Sequence, residues 1–178
     1  MRMIMSVDEN WALGSNNRLL FVIPDDLSFF KETTTGGLVI MGRKTWESLP
    51  GGKPLPMRKN IVLSKTLVDE ALSEQGVVIC DGLVSLAQAI CGLSVDTDKL
   101  WVIGGGEIYT LLAPYCREAL VTKVLAEGSA ADCLMENLDE SRDWEQSVRG
   151  DLREHKELRY RYDRYQNIKI RSLCDDYL

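Results

Sequence analysis

Two short apolar runs that end in glycine constrain the fold of this chain more than any other feature. Leu38-Val39-Ile40-Met41 is followed by Gly42, and Leu100-Trp101-Val102-Ile103 is followed by Gly104-Gly105-Gly106. Continuous apolar runs of this length are typical of strands buried on both faces of a parallel sheet. A helical pattern follows each glycine turn. The sequence therefore predicts two strand-to-helix junctions at the carboxyl edge of one parallel sheet, where such sheets bind ligands.

The rest of the chain continues the alternation of strands and helices. We predict further strands at Met3–Val7, Asn60–Ser64, Val77–Cys80 and Ala119–Val124, helices at Pro24–Thr33, Leu83–Ile90 and Glu107–Leu112, an irregular loop at Trp11–Arg18, and antiparallel strands that include Leu158–Tyr165. This pattern indicates an α/β fold in a single domain, with a mostly parallel central sheet, flanking helices and an antiparallel C-terminal edge. We expect the domain to cover residues 1–167 and to be followed by a C-terminal tail, 168–178, that contains no interpretable motif.

Composition excludes several classes of protein. The 178 residues are 45% hydrophobic and 27% charged, which is ordinary for one globular domain. A net charge of −6 argues against nucleic acid or an anionic membrane as partner. No run is long enough to cross a membrane and no signal peptide is evident, so we expect a cytoplasmic protein. The cysteines form no C-x-x-C pair, and we expect all of them to be reduced thiols: Cys80, Cys91, Cys116, Cys133 and Cys174.

The only histidine, His155, lies in a charged segment that is typical of a solvated strand or turn. Mechanisms of the Ser-His-Asp or Cys-His kind and a histidine metal site are therefore disfavoured, and we expect no metal. If the chain is an enzyme, its proton chemistry falls to a carboxylate or to water.

Two candidate carboxylates follow Pro24, a residue that suits the first position of a helix. Asp25 and Asp26 then occupy the first turn, where the helix dipole favours negative charge. Phe30 lies one turn beyond Asp26 on the same face. On these residues alone, ordinary helix-start acids are the favoured interpretation, and an acid placed in an apolar pocket is the alternative.

The two glycine junctions also admit two interpretations. A helix start beside Gly42-Arg43-Lys44-Thr45 can hold phosphate, and Gly104-Gly105-Gly106 lets a ligand approach the main chain closely. Arg43, Ser64 and Lys65 together suit the extra phosphate of a 2′-phosphorylated nicotinamide cofactor. Solvated cations and tight turns are the alternative. Arg58 is likewise either a clamp for a substrate carboxylate or an ordinary surface charge.

Taken together, these segments resemble the dihydrofolate reductase family. The matching pieces lie in the family's order and spacing from Met3 to about Tyr165: Leu19–Phe21, Ile23–Leu27, Phe29–Lys31, Val39–Ser48, Pro54–Pro56, Arg58–Asn60 and Val102–Tyr109. The resemblance implies an enzyme that uses NADPH to reduce 7,8-dihydrofolate to tetrahydrofolate and that binds antifolate inhibitors. The oligomeric state is open, and a monomer is the default expectation. The resemblance also implies a cis peptide between Gly104 and Gly105.

The resemblance assigns roles to individual residues. It implies Asp26 as the active-site acid, with Leu19 and Phe21 beside the reacting rings and Thr122 behind the acid. The implied substrate pocket contains Ile4, Met5, Ser6, Asp26, Leu27, Phe30, Lys31, Leu49, Leu55, Arg58, Ile103, Tyr109 and Thr122. The implied cofactor site contains Ser6, Leu13, Gly14, Asn17, Leu19, Gly42, Arg43, Lys44, Thr45, Leu63, Ser64, Lys65, Ile103, Gly104, Gly105, Gly106, Glu107, Ile108 and Tyr109.

Three positions depart from the family pattern. Phe21 replaces a frequent tryptophan, and Ala12 stands where glycine is common before the mobile loop. Asp132 matches the residue that supports the closed loop, but the usual Phe-Pro after it is missing. Two rival interpretations are a reductase of the riboflavin pathway, which would not need Asp26 with Arg58, and a non-catalytic nucleotide-binding domain.

Overall fold

The computed structural model of the chain describes residues 1–67, 70–92, 96–128 and 130–178. The strands are β1 (Arg2–Val7), β2 (Ala12–Ser15), β3 (Arg18–Leu19), β4 (Leu38–Gly42), β5 (Lys59–Leu63), β6 (Val77–Cys80), β7 (Leu100–Gly104), β8 (Glu118–Val124), β9 (Cys133–Leu134), β10 (Trp144–Val148), β11 (Arg153–His155) and β12 (Leu158–Asn167). The α-helices are α1 (Pro24–Thr34), α2 (Arg43–Ser48), α3 (Glu70–Glu74), α4 (Leu83–Gly92), α5 (Gly106–Leu112) and α6 (Leu173–Tyr177).

A central sheet carries the strands in the order β10-β12-β8-β1-β7-β4-β5-β6, with β11 on β12. The pairs from β8 through β1, β7, β4 and β5 to β6 are parallel, whereas β12 runs antiparallel to both β8 and β10. The predicted α/β fold with a parallel centre and an antiparallel C-terminal edge is therefore confirmed.

The middle strands are buried on both faces, which explains why their sequences are continuously apolar. Alternate residues of β1 enter different apolar clusters: Met3 and Met5 pack on one side of the sheet, and Ile4 packs on the other. Every residue of β4 is buried. Because neither face of β4 meets solvent, no polar residue interrupts its apolar run.

The junctions lie side by side because β4 and β7 are adjacent. Met41 is the partner of Gly104 in this parallel pair, so both strands end at the same edge of the sheet. There Gly42 precedes α2, and Gly105 precedes α5. The predicted placement of the two junctions at one edge is confirmed.

The prediction of an irregular loop at Trp11–Arg18 was wrong. β2 pairs with β3 to form a hairpin, and β2 also pairs with β9, so that Gly14 lies opposite both Leu19 and Cys133. These strands are only two to four residues long. Such strands are too short for a period-two pattern to show, and β9 lies far along the chain. α3 and α6 were also not assigned from the sequence, and β9, β10 and β11 were expected only as antiparallel strands without bounds.

The prediction that every cysteine is a reduced thiol was wrong for one pair. Cys91 of α4 and Cys174 of α6 form a disulfide across a sequence separation of 83 residues. They meet because the tail packs on the domain: Leu173 is buried in the core, and Tyr177 contacts Tyr115 edge-on at 6.3 Å between ring centroids. Sequence spacing cannot reveal a contact that tertiary packing creates.

Two further observations concern membranes and metals. Among the helices within the described ranges, none has both the length and the apolar character that a membrane crossing requires. In that same part of the chain, no three His, Cys, Asp or Glu side chains cluster in a way suited to a metal ion.

Candidate active site

Asp26 contacts the central sheet through a single short hydrogen bond. Thr122 of β8 donates its hydroxyl to Asp26 Oδ1 at 2.5 Å, and the threonine is buried. Burial raises the pKa of the Asp26 carboxyl above its ordinary value, and the hydrogen bond from Thr122 lowers the pKa by less. The sequence left open whether burial or the helix dipole dominates at this position. In the structure, burial outweighs the hydrogen bond from Thr122, so the pKa of Asp26 is raised above that of an ordinary aspartate.

The neighbouring acid has a different environment. Asp25 is exposed, and its Oδ2 accepts a hydrogen bond from the hydroxyl of Tyr160 at 3.2 Å. Tyr160 belongs to a small apolar cluster with Ile23 and Val124, against which Phe21 packs. The two adjacent acids are therefore distinct: Asp25 is exposed and bonds Tyr160 of β12, whereas Asp26 is partly buried and bonds Thr122 of β8.

Arg58 is held in place by two hydrogen bonds. Its Nε donates to the carbonyl of Pro56 at 3.0 Å, and its Nη1 donates to Thr34 Oγ1 at 2.9 Å. The guanidinium carbon lies 5.9 Å from the ring centroid of Phe30. Desolvation lowers the pKa of Arg58, but a guanidinium stays protonated in proteins. A fixed planar cation beside an apolar ring is suited to bind a carboxylate.

The glycine junctions leave little room for side chains. Gly104 has a φ of +116°, and its peptide bond to Gly105 is cis. A Cβ on Gly106 would lie 2.6 Å from the carbonyl oxygen of Leu134, so that only glycine fits there. The N-termini of α2 and α5 are both without a side-chain cap. Their first backbone N–H groups are therefore available to an anionic ligand.

The predicted phosphate-binding residues lie around these junctions with different degrees of exposure. Lys44 and Lys65 are exposed. Arg43 is partly exposed and forms an ion pair with Glu47 one turn later, at 2.6 Å between Nη1 and Oε1. The hydroxyl of Ser64 accepts hydrogen bonds from the backbone N–H groups of two following loop residues. The cations are thus available at the surface, and the serine also shapes the loop.

The β2–β3 hairpin is held by Asp132. Its Oδ2 accepts a hydrogen bond from the Asn16 N–H at 2.8 Å, and its own N–H donates to the Gly14 carbonyl at 3.1 Å. Leu19, at the end of the hairpin, has half of its surface exposed. The hairpin carries four of the residues predicted to line the cofactor site: Leu13, Gly14, Asn17 and Leu19.

Tyr109 links β1 to the second junction. Its hydroxyl donates to the carbonyl of Ile4 at 2.6 Å, and a Cβ on Gly104 would lie 3.2 Å from its ring. The tyrosine is buried, and this burial raises its pKa well above the usual range. The other predicted pocket residues range from buried to exposed: Ile4, Met5 and Leu63 are buried, Ser6, Phe30, Leu49, Leu55, Ile103 and Ile108 are half-buried, and Leu27, Lys31 and Glu107 are exposed.

Comparison with known proteins identifies the family. The family model described as dihydrofolate reductase matches residues 1–168. This chain belongs to the dihydrofolate reductase family. It is 38% identical to the dihydrofolate reductase of Bacillus subtilis over 121 residues, which cover 68% of this chain and 67% of that protein. It is 36% identical to the Haemophilus influenzae dihydrofolate reductase over 125 residues, covering 70% of this chain and 72% of the relative.

A bifunctional dihydrofolate reductase-thymidylate synthase of Daucus carota is also similar, at 36% identity over 152 residues. That match covers 79% of this chain but only 29% of the plant protein. The chain therefore spans less than a third of that relative. Membership of the dihydrofolate reductase family makes the chain an enzyme, and the family reaction is the reduction of dihydrofolate to tetrahydrofolate with a nicotinamide cofactor.

Reasoning from the sequence missed two residues that shape this site. Thr34 is buried, donates to the carbonyl of Phe30 at 2.7 Å and accepts from Arg58. Asn60 is buried and closes the loop before β5, because its side chain bonds both backbone groups of Leu55 and the carbonyl of Arg58. A polar residue at the start of an apolar strand was the signal for Asn60.

Proposed function

We propose that this chain catalyses the NADPH-dependent reduction of 7,8-dihydrofolate to 5,6,7,8-tetrahydrofolate, and so supplies one-carbon metabolism and thymidylate synthesis. The observation that carries the proposal is the Asp26–Thr122 contact within a chain of the dihydrofolate reductase family, with a carboxyl whose pKa is raised by burial. We also propose a cytoplasmic monomer that binds antifolates.

The residues at the sheet edge fit a phosphorylated nicotinamide cofactor. Close backbone approach is possible where a Cβ would not fit at Gly106, and uncapped helix starts at α2 and α5 suit negative charge. Arg43 and Lys65 supply cations for the 2′-phosphate and Lys44 for the other phosphates. When bound, the reduced nicotinamide supplies a hydride to pterin C6.

Asp26 is the acid that forms hydrogen bonds with the pterin in this proposal. We assign it to hydrogen-bond the 2-amino group and the N3 side of the ring, with Thr122 fixing the carboxyl. Because the pKa of Asp26 is raised, this acid favours protonation of N5, either through water or by its effect on the N5 pKa. With a single histidine, His155, far along the chain on β11, no imidazole is assigned to this task.

The remaining residues position the reactants. Arg58 binds the α-carboxylate of the substrate's glutamate, and Leu27, Phe30, Leu49 and Leu55 enclose the benzoyl ring. The β2–β3 hairpin covers the nicotinamide site and excludes water. A reductase of the riboflavin pathway is disfavoured, because a pyrimidine ribose phosphate gives no task to Asp26 together with Arg58.

Consumption of NADPH in the presence of dihydrofolate tests this proposal. We expect the parent protein to turn over and Asp26→Asn to lose about a hundredfold or more of kcat/KM at neutral pH. Asp25→Asn is the matched control, since it removes the adjacent exposed acid, and we expect it to retain activity. Full activity in Asp26→Asn would contradict the assigned role.

A further inference from the structure

A buried lysine lies directly after the threonine that contacts the active-site acid. Lys123 follows Thr122 on β8, and side chains alternate along a strand, so the two project from opposite faces of the sheet. Only 5% of the Lys123 surface is exposed. An ammonium in such a place is costly unless it is compensated by neighbouring groups.

Lys123 and three neighbouring side chains contact one another. Lys123 Nζ lies 4.0 Å from the ring centroid of Trp11 and 3.3 Å from Asp139 Oδ2. Asp139 Oδ1 accepts a hydrogen bond from the hydroxyl of Tyr165 at 2.6 Å. The ring of Tyr165 packs edge-on against Trp11, with centroids 5.7 Å apart. The cation is therefore held between an indole face and a carboxylate, which is a favourable cation–π geometry.

Trp11 directly precedes β2, the first strand of the β2–β3 hairpin. Its N–H donates to the carbonyl of Asp8 at 3.2 Å, and its own carbonyl accepts from the N–H of Met135 at 2.9 Å, just after β9. Its φ is +60°, in the left-handed region that a bulky residue seldom adopts. Two sets of contacts hold this conformation: the buried Asp8 carboxylate accepts hydrogen bonds from the N–H groups of Asn10 and Ala12 at 2.8 Å, and the indole ring packs against Lys123 and Tyr165.

We propose that Lys123 is a positioning residue, which fixes the Trp11 ring and thereby sets the base of the β2–β3 hairpin relative to β8. One strand would then place both parts of the catalytic site: Thr122 orients Asp26 on one face, and Lys123 orients the hairpin on the other. The inference rests on the proposed function, in which this hairpin covers the nicotinamide. Lys123 itself touches neither substrate nor cofactor in this account.

The first variant, Lys123→Met, removes the charge and keeps approximately the length of the side chain. We expect Lys123→Met to slow hydride transfer in single-turnover experiments about tenfold and to raise the KM for NADPH. The KM for dihydrofolate should change less than about twofold, because Asp26 and Arg58 are untouched. Lys123→Arg, which keeps a cation that stacks on aromatic faces, should recover most of the rate. Lys169→Met removes an exposed lysine–aspartate pair and should leave every constant unchanged.

Two additional variants test whether Lys123 acts through the Trp11 ring. In a Trp11→Leu background, Lys123→Met should cause no further loss of rate, because the ring it acts on is already gone. Asp139→Asn weakens the ion pair with Lys123. Because the Asp139 side chain is half-exposed, we expect the hydride-transfer rate to fall only about threefold. If Lys123→Met does not fold, Asp139→Asn and Lys123→Arg decide the question, since a loss in the first with recovery in the second supports the proposal.

The proposal is overturned if Lys123→Met lowers stability but leaves the single-turnover rate and the KM for NADPH at parental values. It is also overturned if the losses in Trp11→Leu and Lys123→Met simply add, or if Asp139→Asn matches the parent while Lys123→Met is unfolded. These results differ from failure of the proposed function, which would appear as no hydride transfer in the parent protein.

Discussion

Asp26 is a residue at which stability and chemistry have opposite requirements. A carboxyl whose pKa is raised in the folded state binds its proton more tightly there than in the unfolded chain. Its effect on folding is therefore least harmful below the unfolded pKa, and stability is lost as the pH rises through the folded pKa. In the proposed mechanism, a carboxyl that binds a proton at this position favours protonation of the substrate.

This opposition predicts that Asp26→Asn is more stable than the parent at neutral pH. We expect a gain of about 1 kcal/mol in the free energy of unfolding, a modest value because the carboxyl retains contact with solvent. The gain should vanish below about pH 4, where the parent acid is protonated. Urea unfolding at both pH values measures it, with Asp25→Asn as control. A less stable Asp26→Asn at neutral pH would show that the charged carboxyl is well accommodated.

Thr122 allows a second test at the level of one hydrogen bond. The Thr122 hydroxyl stabilises the ionised form of Asp26 and lowers its pKa. Thr122→Val removes this donor with little change of shape, so the pKa of Asp26 should rise. The pH at which the hydride-transfer rate falls should then move upward by about one pH unit. An unchanged or lower midpoint would mean that Asp26 does not control the pH profile.

The hairpin formed by β2 and β3 is the element on which turnover should depend most. It contacts the rest of the chain through β9 and through Asp132, whose carboxylate binds the N–H of Asn16. A hydrogen bond to a charged acceptor is about twice as strong as one to a neutral acceptor. Neutralising Asp132 should therefore loosen the hairpin without unfolding the sheet.

We expect Asp132→Asn to lower the hydride-transfer rate about three- to tenfold and to raise the KM for NADPH. The KM for dihydrofolate should stay near the parental value, because Arg58 and Asp26 are untouched. Asp143→Asn, at an exposed ion pair with Lys169, is the control and should behave like the parent. Equal losses in both variants would indicate a general effect of charge rather than an effect on the hairpin.

The elements also show which features of a sequence are informative. β4 and β7 could be predicted because burial on both faces leaves a continuous apolar run. The start of α1 could be predicted from Pro24, which is its first residue. The β2–β3 hairpin could not, because its strands are short and one partner, β9, lies far along the chain. Likewise, the pairing of Arg58 with Thr34 depends on a tertiary contact that no local pattern records.

The C-terminal tail packs against the domain and is covalently linked to α4. Residues after β12 form α6, bury Leu173 and place Cys174 against Cys91 of α4. A covalent link between such distant positions restricts the unfolded chain and so stabilises the folded one. The tail is therefore a structural part of the molecule, although the family match ends at residue 168.

We predict that Cys174→Ser lowers the free energy of unfolding by about 2–4 kcal/mol and the Tm by about 5–15 °C. The rate of turnover at 25 °C should not change, because neither cysteine lies among the residues assigned to the site. Thermal unfolding with and without a reductant measures the effect. The reductant should lower the Tm of the parent to that of the variant and leave the variant unchanged. A parent whose Tm is insensitive to reductant would contradict the link.

Transfer of hydride to the pterin is the central claim, and isotope labelling tests it most directly. NADPH that carries deuterium at the transferred position of nicotinamide C4 should yield tetrahydrofolate with one deuterium at C6. The amount of deuterated product should equal the amount of NADPH that is oxidised. Magnetic resonance or mass spectrometry of the product gives the position and the amount. Absence of tetrahydrofolate, or tetrahydrofolate formed without deuterium at C6, would contradict the account.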